Sequence, residues 1–113
     1  MQKFGLDSLK TQKLSALELE FAKEKLIALA VAGKHLQISI AKYRQCVSQT
    51  GTTSDERDRL LARLAANIQT LIVQRELIGL THDNIQWVVQ AYDVPEAALA
   101  KLGVVQSPVD HAP

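Results

Sequence analysis

A chain of 113 residues, 47% hydrophobic and 22% charged, can bury one core and is too apolar to be disordered along most of its length. Its net charge of +1 gives no electrostatic reason to expect a polyanionic partner. The single cysteine, Cys46, rules out an internal disulfide and fits a reducing compartment.

The first residues carry no apolar run and no cleavage pattern, so no secretory leader is expected and the cytoplasm is the expected compartment. Met1–Lys13 is polar, with Lys3, Lys10 and Lys13 against Asp7, and only Phe4, Leu6 and Leu9 as apolar anchors. Residues 1–13 are expected to form a partly mobile arm.

The first long helix is expected over Leu14–Gln49. Ser15-Ala16-Leu17-Glu18 matches a capping box, and Leu14 and Leu19 occupy the positions of a hydrophobic staple. A 3-4 spacing of apolar or small residues follows: Leu19, Ala22, Leu26, Leu29, Gly33, Leu36, Ile40, Tyr43 and Val47. Phe21, Ile27, Ala28, Val31 and Ile38 form a second set to the side. Between Lys25 and Lys34, the run Leu26–Gly33 is apolar or small throughout, and such a stretch must be covered on every side. It is far short of the about 20 residues that a membrane span requires.

Thr50-Gly51-Thr52 breaks the pattern, and Thr53-Ser54-Asp55-Glu56 reads as the cap of a second helix, from about Ser54 to Gly79. A connection this short predicts an antiparallel neighbour. The second seam is Leu61, Leu64, Ile68, Leu71, Arg75 and Ile78. Folding about Gly51 sets Ile40 near Leu64, Leu36 near Ile68 and Gly33 near Leu71. Arg75 is the polar exception, expected to snorkel or to pair with a carboxylate such as Glu24.

A third helix is expected after Thr81 as its cap, stapled by Leu80 and Ile85, with Ile85, Val88, Val89 and Tyr92 on one face and Trp87 to the side. Asp93-Val94-Pro95-Glu96 turns the chain into a short fourth helix, with Asp93 and Glu96 as its cap. That helix ends at Leu102 before Gly103. Residues 104–113 read as a flexible tail. The expected fold is therefore all-α, one domain over 14–103: a long antiparallel hairpin with two short C-terminal helices, assembled as a dimeric helical bundle.

Catalytic chemistry is not visible. His35, His82 and His111 stand in separate contexts, and no Glu-x-x-His, Cys-x-x-Cys, phosphate-binding glycine loop or Gly-x-Ser-x-Gly occurs. Cys46 lies at a helix C-terminus, which disfavours a thiolate, so it reads as a packing residue. No catalytic, metal-binding or cofactor-binding residue is assigned, and no enzyme is expected.

Two binding readings remain. Residues 83–103 can be laid on a helix-turn-helix of a DNA-binding transcriptional regulator. Its second helix would offer only Glu96, Ala97, Ala98, Ala100 and Lys101, a nearly blank face for bases. Nucleic acid is thus the weaker expectation. Protein–protein interaction is the stronger one. The first helix outreaches the partners its own chain can supply, and a second copy is the economical cover. A homodimer interface is expected at Leu26, Ile27, Leu29, Val31, Leu36 and Ile38. A further protein partner is expected at Trp87, Tyr92 and Leu99, since Trp and Tyr are favoured interface anchors. In type, this pattern resembles small bacterial regulators, anti-activators and chaperones that are helical dimers and occupy a partner's surface. The resemblance is one of architecture, and it implies a non-enzymatic regulatory or adaptor role.

Overall fold

The computed structural model describes residues 6–103, which form four α-helices: α1 (Leu6–Ser48), α2 (Ser54–Leu77), α3 (Asn84–Tyr92) and α4 (Glu96–Lys101). No strand occurs among the described residues. Phe4 of the expected arm and the expected 104–113 tail lie outside them.

α1 begins at Leu6, eight residues before the expected start at Leu14. A Ser-x-x-Glu pattern marks a helix start only where the chain upstream is not already helical. Leu6–Leu14 contains neither glycine nor proline, so nothing stops the helix short of Gly5. With 43 residues, α1 is about 65 Å long. It ends where Thr52 donates its hydroxyl to the carbonyl of Cys46 (2.9 Å) and Gly51 takes φ +83°, a conformation that a side chain resists.

α2 starts as its sequence predicts. The Thr53 hydroxyl accepts from the Glu56 amide at 3.1 Å, and Asp55 and Glu56 occupy the first turn, where the helix dipole favours them. Its end is a Schellman motif: the Leu80 amide donates to the Arg75 carbonyl, the Gly79 amide to that of Glu76, and Gly79 sits at φ +95°.

The two long helices pack together, although Gly33, expected near Leu71, has Tyr92 as its nearest neighbour. Leu36, Ile40, Leu61, Leu64, Ile68 and Leu71 share one core, and Leu36 and Leu64 have no exposed surface. A polar contact beside the core ties the two helices together. The Asn67 amide donates to the Ser39 hydroxyl and to the His35 carbonyl (3.4 Å), while Ser39 donates to that same carbonyl (2.9 Å). Ser39 is buried and keeps its bond to His35 within α1, whereas slipping the register would leave the Asn67 amide without both acceptors.

α3 and α4 close the core from one side through Val88, Val94 and Ala98, with Tyr92, Leu99 and Leu102 around them. α3 starts at Asn84, after the expected Thr81 cap. Thr81 and His82 lie in the preceding turn, and Asp83 enters the helix from a left-handed conformation with no side-chain cap bond. Asn84 decides this: it is buried and bonded on both sides, so the helix forms around it. Asp93 does not cap α4. It adopts φ +52°, and its carbonyl and carboxylate both accept from Arg44 of α1 (2.6 and 3.3 Å).

Among the described side chains, those of α1 that are buried lie in its C-terminal half. Ala32, Leu36, Ser39, Ile40 and Cys46 are buried, whereas every residue from Ser15 to Ile27 is exposed. α2, at 24 residues, is too short to follow α1 further.

Gly33 is a contact point between α1 and α3. A Cβ there would lie 2.5 Å from the Tyr92 hydroxyl oxygen and 3.6 Å from the ring carbon that bears it. Alanine otherwise favours a helix over glycine by about 1 kcal/mol. Gly33→Ala should therefore lower the melting temperature of the wild-type protein and raise it in a Tyr92→Phe background, with a coupling of about 1 kcal/mol between the sites. Additive melting shifts would show that the contact does not constrain Gly33.

Candidate interaction surface

The expected dimer residues fall into three environments. Leu36 is sealed in the chain's own core, and Leu29 is half-buried against it. Leu26, Ile27, Val31 and Ile38 are exposed, with Ile27 at 64%. At 100° per residue these four do not share one face. Ile27, Val31 and Ile38 line the back of α1, opposite the core, whereas Leu26 looks toward the end of α2.

There α1 runs past the last turn of α2, and the two helices form an open cleft lined by Phe21, Ala22, Leu26, Leu77 and Ile78, with Glu18 and Lys25 at its edge. Phe21, Leu26 and Leu77 are each more than half exposed. Of these only Leu26 is expected from sequence at an interface; Ile78 reads as a seam position of the hairpin, and Leu77 is not expected at a surface site. Their signal was present, because Leu77 breaks the polar outer face of α2, but its meaning depends on where α2 stops.

The expected partner anchors are packed to different degrees. Trp87 is 41% exposed, its ring edge-on to Tyr92 with centroids 6.1 Å apart. Tyr92 and Leu99 are half-buried against the core. The inner face of Trp87 covers Arg75, whose guanidinium carbon lies 3.6 Å from the ring centroid. Arg75 is buried, and its Nε donates to the Asn84 side-chain carbonyl (2.7 Å); the Asn84 amide donates to the Leu80 carbonyl (2.7 Å). The expected ion pair with Glu24 does not form. An aromatic face and a neutral acceptor satisfy the guanidinium, which stacks and is weakly hydrated.

The helix-turn-helix layout over residues 83–103 places α3 and α4 on the side of the hairpin. α4 has six residues, Ala98 is buried and Ala97 half-buried, so its free face offers Glu96, Ala100 and Lys101. A shallow basic groove between α1 and α2 gathers His35, Lys42 and Arg63 around Ser39 and Asn67. Among the described residues no group of three or more His, Cys, Asp or Glu stands close enough to hold a metal ion, and no helix is long and apolar enough to cross a membrane. Cys46 is buried at the hairpin end as a free thiol.

Fold and surface together define a helical hairpin, braced by two short helices, with its longer helix exposed from Ser15 to Ile27. No protein-family model, no curated protein and no solved structure matches the chain.

The Arg75 cluster supplies a stability test. Asn84→Ala removes the acceptor of a buried charged donor and should cost about 1–3 kcal/mol. Arg75→Met retains the apolar stem without the donor, so the double variant should be less destabilised than the sum of the two. Additivity in denaturant titrations would mean that Asn84 acts through helix entry alone.

Proposed function

We propose that the protein is a non-enzymatic regulator or adaptor that works by binding another protein, as a homodimer built on α1. One observation carries this reading. Leu17, Leu19, Phe21, Leu26, Ile27, Val31 and Ile38 are large apolar residues on a single helix, and all are exposed among the described residues. Scattered exposed apolar residues need no explanation, but a concentration along one helix marks an interaction surface. Fully covering such side chains is worth roughly 1.5–3 kcal/mol each.

The partner surface we favour is the cleft where α1 outruns α2. It is concave and apolar, with Glu18 and Lys25 at its margin, which suits the apolar face of an amphipathic helix. Trp87 is a second anchor on another side of the molecule. A cytoplasmic setting agrees with the free thiol of Cys46.

The test is affinity capture from the native host with the wild-type protein and two surface variants. Leu77→Asp should abolish recovery of the specific partner while preserving the circular dichroism spectrum, because Leu77 is exposed. Trp87→Ala should reduce recovery only if Trp87 is also in the contact. Capture unchanged by Leu77→Asp would remove the cleft from the reading. Turnover of a small substrate by the pure protein would replace the reading with an enzymatic one.

A further inference from the structure

The back of α1 carries a second heptad seam that stays exposed among the described residues. Its positions are Leu17, Glu20, Glu24, Ile27, Val31, Lys34, Ile38 and Ala41, alternating three and four residues apart, and all are exposed. At 100° per residue they lie opposite the buried residues of α1, with Ile38 also bordering the groove that holds Arg63 and Asn67 of α2, and the contacts at Gly33 and Arg44 lie on another side of the helix.

The charges along this seam are ordered. Both glutamates lie before Ile27, and the lysine lies after Val31. From Lys25 to Ser54 the chain holds no acidic residue, and Lys42 adds to the positive end beside the seam. A parallel pairing with a second copy would stack Glu20 on glutamate, Glu24 on glutamate and Lys34 on lysine. An antiparallel pairing reverses every one of these contacts.

We infer that two copies associate through the backs of their α1 helices, antiparallel, with the two-fold axis beside Leu29. This rests on the reading that the protein self-associates through α1, and it specifies face, direction and register. In this register Ile27 meets the partner's Val31, Glu24 meets the partner's Lys34, Glu20 meets the partner's Ile38 and Leu17 meets the partner's Ala41. The symmetry repeats each contact, giving a central apolar patch flanked by two Glu–Lys pairs. Sliding by one heptad in either direction breaks both Glu24–Lys34 pairs and sets Lys34 against Val31 or Leu17. Ala28 and Ala30 flank the axis, so the helices can approach closely.

The register also gives the projecting half of α1 a place. The axis lies close to the middle of the Leu6–Ser48 helix, so the two copies overlap along almost their whole length. Residues near Leu17 and Glu20, which have no α2 beside them, come to rest against the C-terminal half of the partner's α1. The order of layers across the assembly is α2, α1, then α1 and α2 of the second copy. The cleft at Leu77 opens to a different side.

Sedimentation equilibrium of the full chain tests this, together with zero-length carbodiimide cross-linking. The wild-type protein should run at about twice 12.4 kDa. Glu24→Lys and Lys34→Glu, both at exposed positions, should each weaken the dimer by about tenfold or more, since like charges then meet twice. The double variant Glu24→Lys/Lys34→Glu should restore it. Cross-linking should join Glu24 to Lys34 in the dimer band only, because within one helix the two are about 15 Å apart along the axis. A monomeric wild-type protein overturns the inference. So does a dimer that tolerates both single reversals, or one cross-linked at other pairs, which would place the interface at the Leu26 side or in a parallel arrangement. Capture of a protein partner by the Glu24→Lys variant separates the two readings: retained capture with a lost dimer leaves the adaptor function standing without this interface.

Discussion

The structure turns on a mismatch of length. α1 has 43 residues and α2 has 24, and both carry apolar side chains to their ends. A hairpin can cover one face of α1 over the length of its shorter arm and no further. Everything else follows from what that leaves. The packed half of α1 holds the core, the short helices brace it from one side, and the stretch before it leaves Leu17, Leu19, Phe21 and Leu26 exposed. Helices of this length draw most of their stability from tertiary packing rather than from intrinsic propensity, so that stretch is the part of the molecule for which association gains most.

Within the packed half, apolar contacts determine that the helices meet, and polar contacts determine where. Leucine and isoleucine seams tolerate a shift by one turn, because similar side chains recur along them. The Asn67–Ser39 contact does not, nor does the Arg75–Asn84–Leu80 chain, which places α3 relative to the end of α2. Each includes one bond between elements, Asn67 to Ser39 and Arg75 to Asn84, whose partners meet in one arrangement only. Arg44, reaching both the carbonyl and the carboxylate of Asp93, performs the same task at the α3–α4 turn, where exposure makes it weaker.

Much of this fold was legible in the sequence. The 3-4 spacing gave the hairpin, Gly51 its turn, Thr53 the start of α2, and Gly79 and Gly103 helix ends. The two misplaced helix starts share one cause. The Ser15 and Thr81 patterns are real cap signatures, but a cap signature is a local preference, and it yields where the chain upstream is already helical or where a buried asparagine determines helix entry. Glu24 was a reasonable partner for Arg75 on charge alone; the position of Trp87, set by tertiary packing, decided otherwise. The surface was less legible than the core. Leu36 and Ile38 both read as apolar residues of one helix, and only the placement of α2 shows that the first is sealed in the core and the second lies in water. Periodicity locates faces, and it does not say which face the chain itself covers.

The charge order along α1 sharpens that last point. Acidic residues toward a helix N-terminus and basic residues toward its C-terminus are favoured by the macrodipole, which is the ordinary explanation for such an order. That effect fades within the first and last turn, whereas Glu24 and Lys34 both lie several turns from the ends of Leu6–Ser48. They are also too far apart to pair with each other along the helix, since such pairs require three or four residues. Glu20 has a neighbour of that kind in Lys23 (3.9 Å), but Glu24 and Lys34 make no ion pair among the described residues. Opposite charges on one stripe, beyond each other's reach within the helix and placed evenly about the stripe's midpoint, are complementary to a reversed copy of themselves and not to a parallel one. That is a self-complementarity that neither helix propensity nor the folding of a single chain requires.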